Sequence, residues 1–182
     1  MEVRDDEEAG MDAAQLRELQ APLKQQYRDE PGSACVTMSA EAEFADPGIT
    51  ATVHTWSGPV RAGLHPSTGG DGSDACSGDM LLQALLACAG VTMRSVATAM
   101  GVDVRSARLT ARGDMDARGT LGVSRETPVG LGSITVDAEL DTDADDATLV
   151  KLGELTERYC VVAQTLARPP HLAVRRAGDG HT

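Results

Sequence analysis

The run Asp79-Met80-Leu81-Leu82-Gln83-Ala84-Leu85-Leu86-Ala87-Cys88-Ala89-Gly90 decides the fold. With its continuation to about Met100, closed by Gly101, it predicts one helix beginning near Asp79, with Ser77 or Asp79 as its cap. Apolar residues lie nearly all round it, which predicts a helix enclosed by other elements rather than half exposed. The most apolar part, Met80 to Met93, is interrupted by Gln83, Gly90 and Thr92 and falls short of the roughly 20 residues that a bilayer span requires.

Outward from this helix the periodicity changes. Leu16, Leu19, Leu23 and Tyr27 stand at helical steps within a helix expected over residues 13–28 and stopped by Pro31-Gly32. From Ala34 to Ala40, and again from Ile49 to Trp56 after Asp46-Pro47-Gly48, the alternation approaches two and predicts a hairpin. Residues 57–78 hold six glycines and two prolines without periodicity, and are expected to form a long flexible loop. Beyond the central helix, strands are predicted over 104–115 and 130–140, with a turn or short strand over 123–129. A second long helix is expected over 145–159, then Arg168-Pro169-Pro170 and a last strand over 172–174. Strands grouped around one long helix indicate an α+β domain over 33–177, preceded by a helix in 11–32 and an acidic disordered tail over 1–10, and followed by a tail over 178–182.

Charge and composition narrow the function. The 182 residues carry 16 Lys+Arg against 28 Asp+Glu, a net charge of -12, and four aromatics. Such a surface repels phosphate backbones and lacks the stacking platforms used on single strands, so nucleic acid is excluded as a partner. Nine of the acids lie in residues 1–10 and 141–146, so the excess says little about a substrate. The opening Met1-Glu2-Val3-Arg4-Asp5-Asp6-Glu7-Glu8 lacks the basic start of a secretory leader, and the expectation is a cytoplasmic protein with no membrane attachment. In that compartment Cys35, Cys76, Cys88 and Cys160 are expected to be free, metal-bound or redox-active rather than structural disulfides.

Several strings do not carry the chemistry they suggest. Ser67-Thr68-Gly69-Gly70-Asp71-Gly72 lacks the Lys-Ser/Thr of a phosphate loop, and Asp71 would repel the anion. Asp141-Thr142-Asp143-Ala144-Asp145 begins like a calcium loop, but Asp146 stands where Gly is needed and Leu152 where Glu is needed, which leaves helix capping. Arg112-Gly113-Asp114 is explained by a strand end. Zinc sites usually pair ligands two to four residues apart, whereas the cysteines are 41, 12 and 72 positions apart. A metal-binding reading would need distant cysteines and His54, His65 or His171.

Taken singly, Cys88 and Cys160 read as small core hydrophobes. The ordered set of His65-Pro66, Gly69-Gly70, the Leu-Leu-x-Ala-Leu-Leu-Ala-Cys helix, Asp114-x-Asp116-x-x-Gly119 and Glu157-Arg158-Tyr159-Cys160 resembles the OsmC/Ohr superfamily of thiol-dependent peroxidases over roughly residues 34–176. The resemblance implies an α+β, two-layer fold with a long central helix, in an intertwined homodimer whose active sites form at the subunit interface. It implies that Cys88 attacks an organic hydroperoxide and that Cys160 resolves the sulfenic acid as a disulfide. No metal, haem or flavin is implied, and the reductant would be a dithiol such as a lipoylated protein. In the family an arginine beside the first cysteine is held by a glutamate ten residues before it. Position 78 here is Gly, which makes Asp79 the candidate acid, and Arg61, the only basic residue between Arg28 and Arg94, the candidate cation. The family often has Pro after the second cysteine; this chain has Val161.

A thiol of pKa about 8.5 is only about 3% ionised at pH 7, so full ionisation gains at most about 30-fold. Cys88 lies nine residues, roughly 13 Å, beyond Asp79, too far for the helix terminus to ionise it. Apolar surroundings would raise its pKa, so a cation from elsewhere is expected near it. Cys76, in the expected flexible loop, is an alternative resolving thiol, and Cys35 is expected to be packing. The competing reading is an OsmC-like fold without peroxidase chemistry that binds a small apolar ligand or has a structural role under stress.

Overall fold

The computed structural model describes residues 10–45, 47–166 and 171–176. The tail expected over 1–10 (apart from Gly10), Asp46 of the expected turn, Arg168-Pro169-Pro170 and the tail over 178–182 lie outside the described residues.

Helix α1, Ala13–Asp29, starts where the Asp12 carboxylate accepts the N–H groups of Ala14 and Gln15 while the Gln15 side chain accepts the Asp12 N–H. Of its expected apolar stripe only Leu16 is even half-buried, because Ala13, Leu16 and Gln20 face the rest of the chain while Leu19, Leu23 and Tyr27 stay exposed. A 3-10 turn, Pro31–Ala34, follows.

The first sheet departs from the expected hairpin and loop. The first expected run, Ala34 to Ala40, forms no strand; the residues just after it, Glu41–Glu43 (β1), pair antiparallel with Thr50–Thr55 (β2). The stretch expected to be a flexible loop contains Gly58–Gly63 (β3), antiparallel to β2 from Thr55↔Gly58 to Thr50↔Gly63, and Ala75–Cys76 (β4), parallel to β3. Gly58, Pro59 and Gly63 hid the alternation of β3 in the sequence. Thr55 Oγ1 donates to the Gly58 carbonyl at 2.6 Å and closes the tight turn. The glycine-rich segment beyond is folded too. His65 Nδ1 accepts the Ser67 N–H at 3.1 Å, and Gly70 lies so close to the backbone that a Cβ there would sit 1.7 Å from the Leu64 carbonyl oxygen.

Helix α2, Ser77–Met100, is 24 residues long and starts two residues earlier than expected. Neither Ser77 nor Asp79 caps it: both lie inside the first turn, and Cys76 occupies the N-cap without a side-chain bond. Gly101, left-handed at φ 70°, closes it as expected. At this length and composition α2 meets the simple requirement for a membrane span, which the shorter run Met80 to Met93 did not. Its buried residues are Leu85, Ala89, Met93 and Ala97, one stripe at four-residue steps. The expected all-round enclosure is therefore not achieved within one chain, and Val91 on another face is 74% exposed. Only one side of α2 meets the second sheet and the helices behind it.

That sheet contains Ser106–Met115 (β5), antiparallel to Leu131–Asp141 (β6), with His171–Arg176 (β7) parallel to β6 on the other side. A short helix, Ala117–Thr120 (α3), follows Asp116, whose carboxylate accepts the Arg118 N–H. Parallel pairing of β6 and β7 requires a crossover, supplied by Asp146–Tyr159 (α4) and Val161–Thr165 (α5). Asp145 caps α4 by accepting the Thr148 N–H at 2.7 Å, as the capping reading of the acidic cluster expects. One core joins Met93, Ala97, Val104, Ala138, Leu140, Leu149 and Leu152. A second joins Leu85, Ala89, Val136, Cys160 and Ala163, with Cys88 packed against it. The architecture is α+β.

Candidate active site

The second core brings together two cysteines that are 72 positions apart in the chain. Cys88 stands on the flank of the buried stripe of α2, half-buried one residue before Ala89. Cys160 is 1% exposed and occupies the single non-helical position between α4 and α5, at φ -73° and ψ 104°. Its N–H donates to the Thr156 carbonyl at 2.9 Å, ending α4, and its own carbonyl accepts the Gln164 N–H at 3.0 Å, starting α5. The break aims the first amides of α5 back toward α2.

These amides govern the electrostatics. Burial pushes the Cys88 thiol up, but the backbone N–H of Val162, the Cys160 thiol, the Thr92 hydroxyl and the backbone N–H of Val161 stabilise its thiolate, and the net pKa is below the ordinary thiol value. Burial pushes the Cys160 thiol up; the Ala163 N–H opposes this only in part, and hydrogen bonding to Cys88 raises it further. The pair is polarised, with Cys88 as the readier thiolate and Cys160 as the proton donor. Sequence reasoning sought a cation beside Cys88 and missed these neutral donors. Thr92 was legible, four residues along the same helix; the amides of 161 and 162 were not, since any residue supplies an N–H.

The other candidate residues are placed elsewhere. Arg61, on β3, pairs its Nε with the Asp74 carboxylate at 2.5 Å. Asp79 is exposed in the first turn of α2, and the structure does not bring Arg61 and Asp79 together as a pair within one chain. Cys76, at the start of α2, is twelve residues and about 18 Å along the axis from Cys88, which removes it as a resolving thiol in this arrangement. Cys35 is exposed rather than packed, contrary to expectation, because its segment forms no strand. Among the described residues no three His, Cys, Asp or Glu side chains come together to hold a metal ion.

Beside the cysteines lies an open groove of about 650 Å³. Leu81, Met115, Val129, Leu131, Ile134 and Leu166 form its apolar wall. Ile134 and Leu166 also pack on the core that contains Cys160 and borders Cys88, so groove and thiols share a wall. Leu81 lies seven residues before Cys88, two turns along nearly the same face of α2.

A family model described as OsmC-like protein matches residues 70–175, more than half of the chain. The chain belongs to the OsmC-like family. Solved structures agree in fold. An organic hydroperoxide resistance protein from Elizabethkingia anophelis superposes with a TM-score of 0.62 at 12% identity, covering 79% of this chain and 96% of that one. An organic hydroperoxide resistance protein OsmC from Legionella pneumophila gives 0.60 at 16% identity, covering 79% and 98%. An OsmC like protein from Mycoplasma pneumoniae gives 0.59 at 15% identity, covering 78% and 96%. No curated protein matches the chain. The OsmC-like match begins at Gly70 and spans both site cysteines.

Proposed function

We propose that this OsmC-like chain is a thiol-dependent peroxidase that reduces organic hydroperoxides, with Cys88 as the peroxidatic and Cys160 as the resolving residue. The observation that carries the reading is the polarised pair: a thiol with a lowered pKa faced by a buried thiol with a raised one. The Cys88 thiolate would attack the terminal oxygen of R–O–OH, breaking the O–O bond. Cys88 becomes a sulfenic acid, and the alkoxide takes a proton to leave as an alcohol. Cys160 then attacks the sulfenic sulfur, forming the Cys88–Cys160 disulfide and releasing the hydroxyl with the Cys160 proton as water. An external dithiol, itself oxidised to a disulfide, returns both thiols, and a lipoylated protein has suitable chemistry. All four cysteines are free, which suits a reducing compartment such as the cytoplasm.

The functional unit in this reading is a homodimer. Its support is the apolar surface left open on one chain, with Val91 74% exposed on α2 and Phe44 85% and Trp56 99% exposed on or beside the first sheet. A second copy would also offer a route for Arg61 to approach a Cys88 thiolate from the exposed sheet.

The test follows cumene hydroperoxide consumption with dihydrolipoamide for wild type, Cys88→Ser and Cys160→Ser. Wild type should turn over, Cys88→Ser should not, and Cys160→Ser should accumulate a sulfenic acid that dimedone traps. If wild type consumes no peroxide, or Cys88→Ser consumes it equally fast, the enzyme reading is lost. A second reading, an OsmC-like binder of small apolar molecules without turnover, draws on the separate placement of Arg61 and Asp79 and on the open groove. Ligand binding without peroxide consumption would favour it.

A further inference from the structure

The wall of the groove is apolar, but its charged lining is of one sign. Asp114 and Asp116 both line it, and among the described residues no lysine or arginine does. The two acids are not equivalent. Asp116 is held by Arg118, whose Nη2 and Nε donate to the carboxylate at 2.6 and 3.0 Å, so that pair is close to neutral from a distance. Asp114 is exposed at the end of β5 and forms no ion pair among the described residues. Among the described residues the groove therefore presents hydrocarbon walls with one unpaired negative charge.

We infer that the groove selects uncharged apolar molecules and rejects those carrying a carboxylate, with Asp114 as the residue that discriminates. The inference names the substrate class for the proposed peroxidase and rests on that reading for its catalytic form: neutral hydroperoxides, including esterified lipid hydroperoxides, are substrates, and free fatty-acid hydroperoxides are poor ones. Two like charges about 7 Å apart, at an effective dielectric between surface protein and water, repel enough to change binding about five- to tenfold. The repulsion is unlike a steric limit, because salt screens it.

Two arms test this on the full chain. In the catalytic arm, kcat/KM is compared for linoleic acid hydroperoxide and its methyl ester, which share the chain and the peroxide. The ester should lead about five- to tenfold at low salt, and the ratio should contract toward one in Asp114→Asn and in 0.5 M salt. In the binding arm, Cys88→Ser protein, which needs no chemistry, is loaded with the neutral dye Nile red and titrated with 1-decanol or decanoate. Decanol should displace the dye at several-fold lower concentration than decanoate in this protein, and the two should converge when Asp114→Asn is added. Equal behaviour of acid and neutral probe in the presence of Asp114, or a ratio that Asp114→Asn leaves unchanged, overturns the inference. Selective decanol binding without peroxide turnover would sink the peroxidase reading while the groove assignment stands. Turnover without charge discrimination would do the reverse. Val129→Trp, which places an indole in the groove, should block decanol and leave the oligomeric state unchanged by light scattering. If that variant instead dissociates an oligomer, the groove is covered by a second copy and the assignment is wrong.

Discussion

Thr92→Val tests whether neutral donors, rather than a cation, prepare Cys88. The substitution keeps the branched shape and removes one hydroxyl, which is one of the four donors that hold the Cys88 thiol below its ordinary value. A hydrogen bond to a charged group contributes about 1.5 kcal/mol at the lower end of its range, which corresponds to about one pKa unit. The lower end applies here because Cys88 is only half-buried and the Val162 amide, Cys160 and the Val161 amide remain. The sign follows from the acid equilibrium: a donor to the thiolate lowers the pKa, so its loss raises it. The assay is the rate of alkylation by iodoacetamide against pH, in a background with Cys35 and Cys76 replaced by Ser. The wild-type half-point should fall below that of an unperturbed thiol measured in the same assay. Thr92→Val should move it up by about one unit. Below both half-points the thiolate fraction falls about tenfold, but the more basic thiolate is the better nucleophile, so the observed rate falls only about threefold. Coincident half-points, with circular dichroism unchanged, would refute the donor argument, and so would a wild-type half-point at or above that of a free thiol.

Gly70→Ala should destabilise the protein by about 3 kcal/mol or more, read as a lower midpoint in urea, because the new Cβ would sit 1.7 Å from a backbone oxygen that no side-chain rotation can move. Leu152→Ala, at a site of 0% exposure in the larger core, should cost about 3 kcal/mol by the same measurement. Hydrogen bonds from Arg118 hold the Asp116 carboxyl down at about 2, so its NMR titration should centre there and return toward 3.8 in Arg118→Ala. Being depressed in the fold, that group adds stability above 3.8 that is lost as the pH falls toward 2, and a wild-type midpoint near 3.8 would contradict the geometry.

Long-period features were legible in the sequence. Helices α2 and α4 declared themselves by apolar content, by Gly101 at one end and by Asp145 at the other, because helix periodicity and capping are local. Strand β3 did not, because Gly58, Pro59 and Gly63 are turn-forming residues that the two-residue connection to β2 recruits into a ladder. The glycines at 69 and 70 suggested flexibility, yet Gly70 is required by a close backbone approach, a contact between distant atoms that composition does not reveal. Helix α5 escaped for a similar reason: five residues are too few for periodicity, and its role lies in where its amides point.

What the sequence by itself determined is the inventory: an α+β domain, one long apolar helix bearing Cys88, and a second cysteine at the end of a later helix. The ordered motifs carried the family, and the count and spacing of cysteines disfavoured a local metal site, since these properties depend on which residues are present and in what order. Only the tertiary structure decided that Cys160 sits in the helix break facing Cys88, that neutral donors rather than Arg61 surround the thiol within one chain, and that α2 covers only one of its faces. Those outcomes depend on directions in space: where a backbone N–H points, which side of a helix a sheet reaches, and which carboxylate lies beside an arginine. A residue's identity fixes its chemistry, but the fold sets the neighbours that shift a pKa or leave a face open.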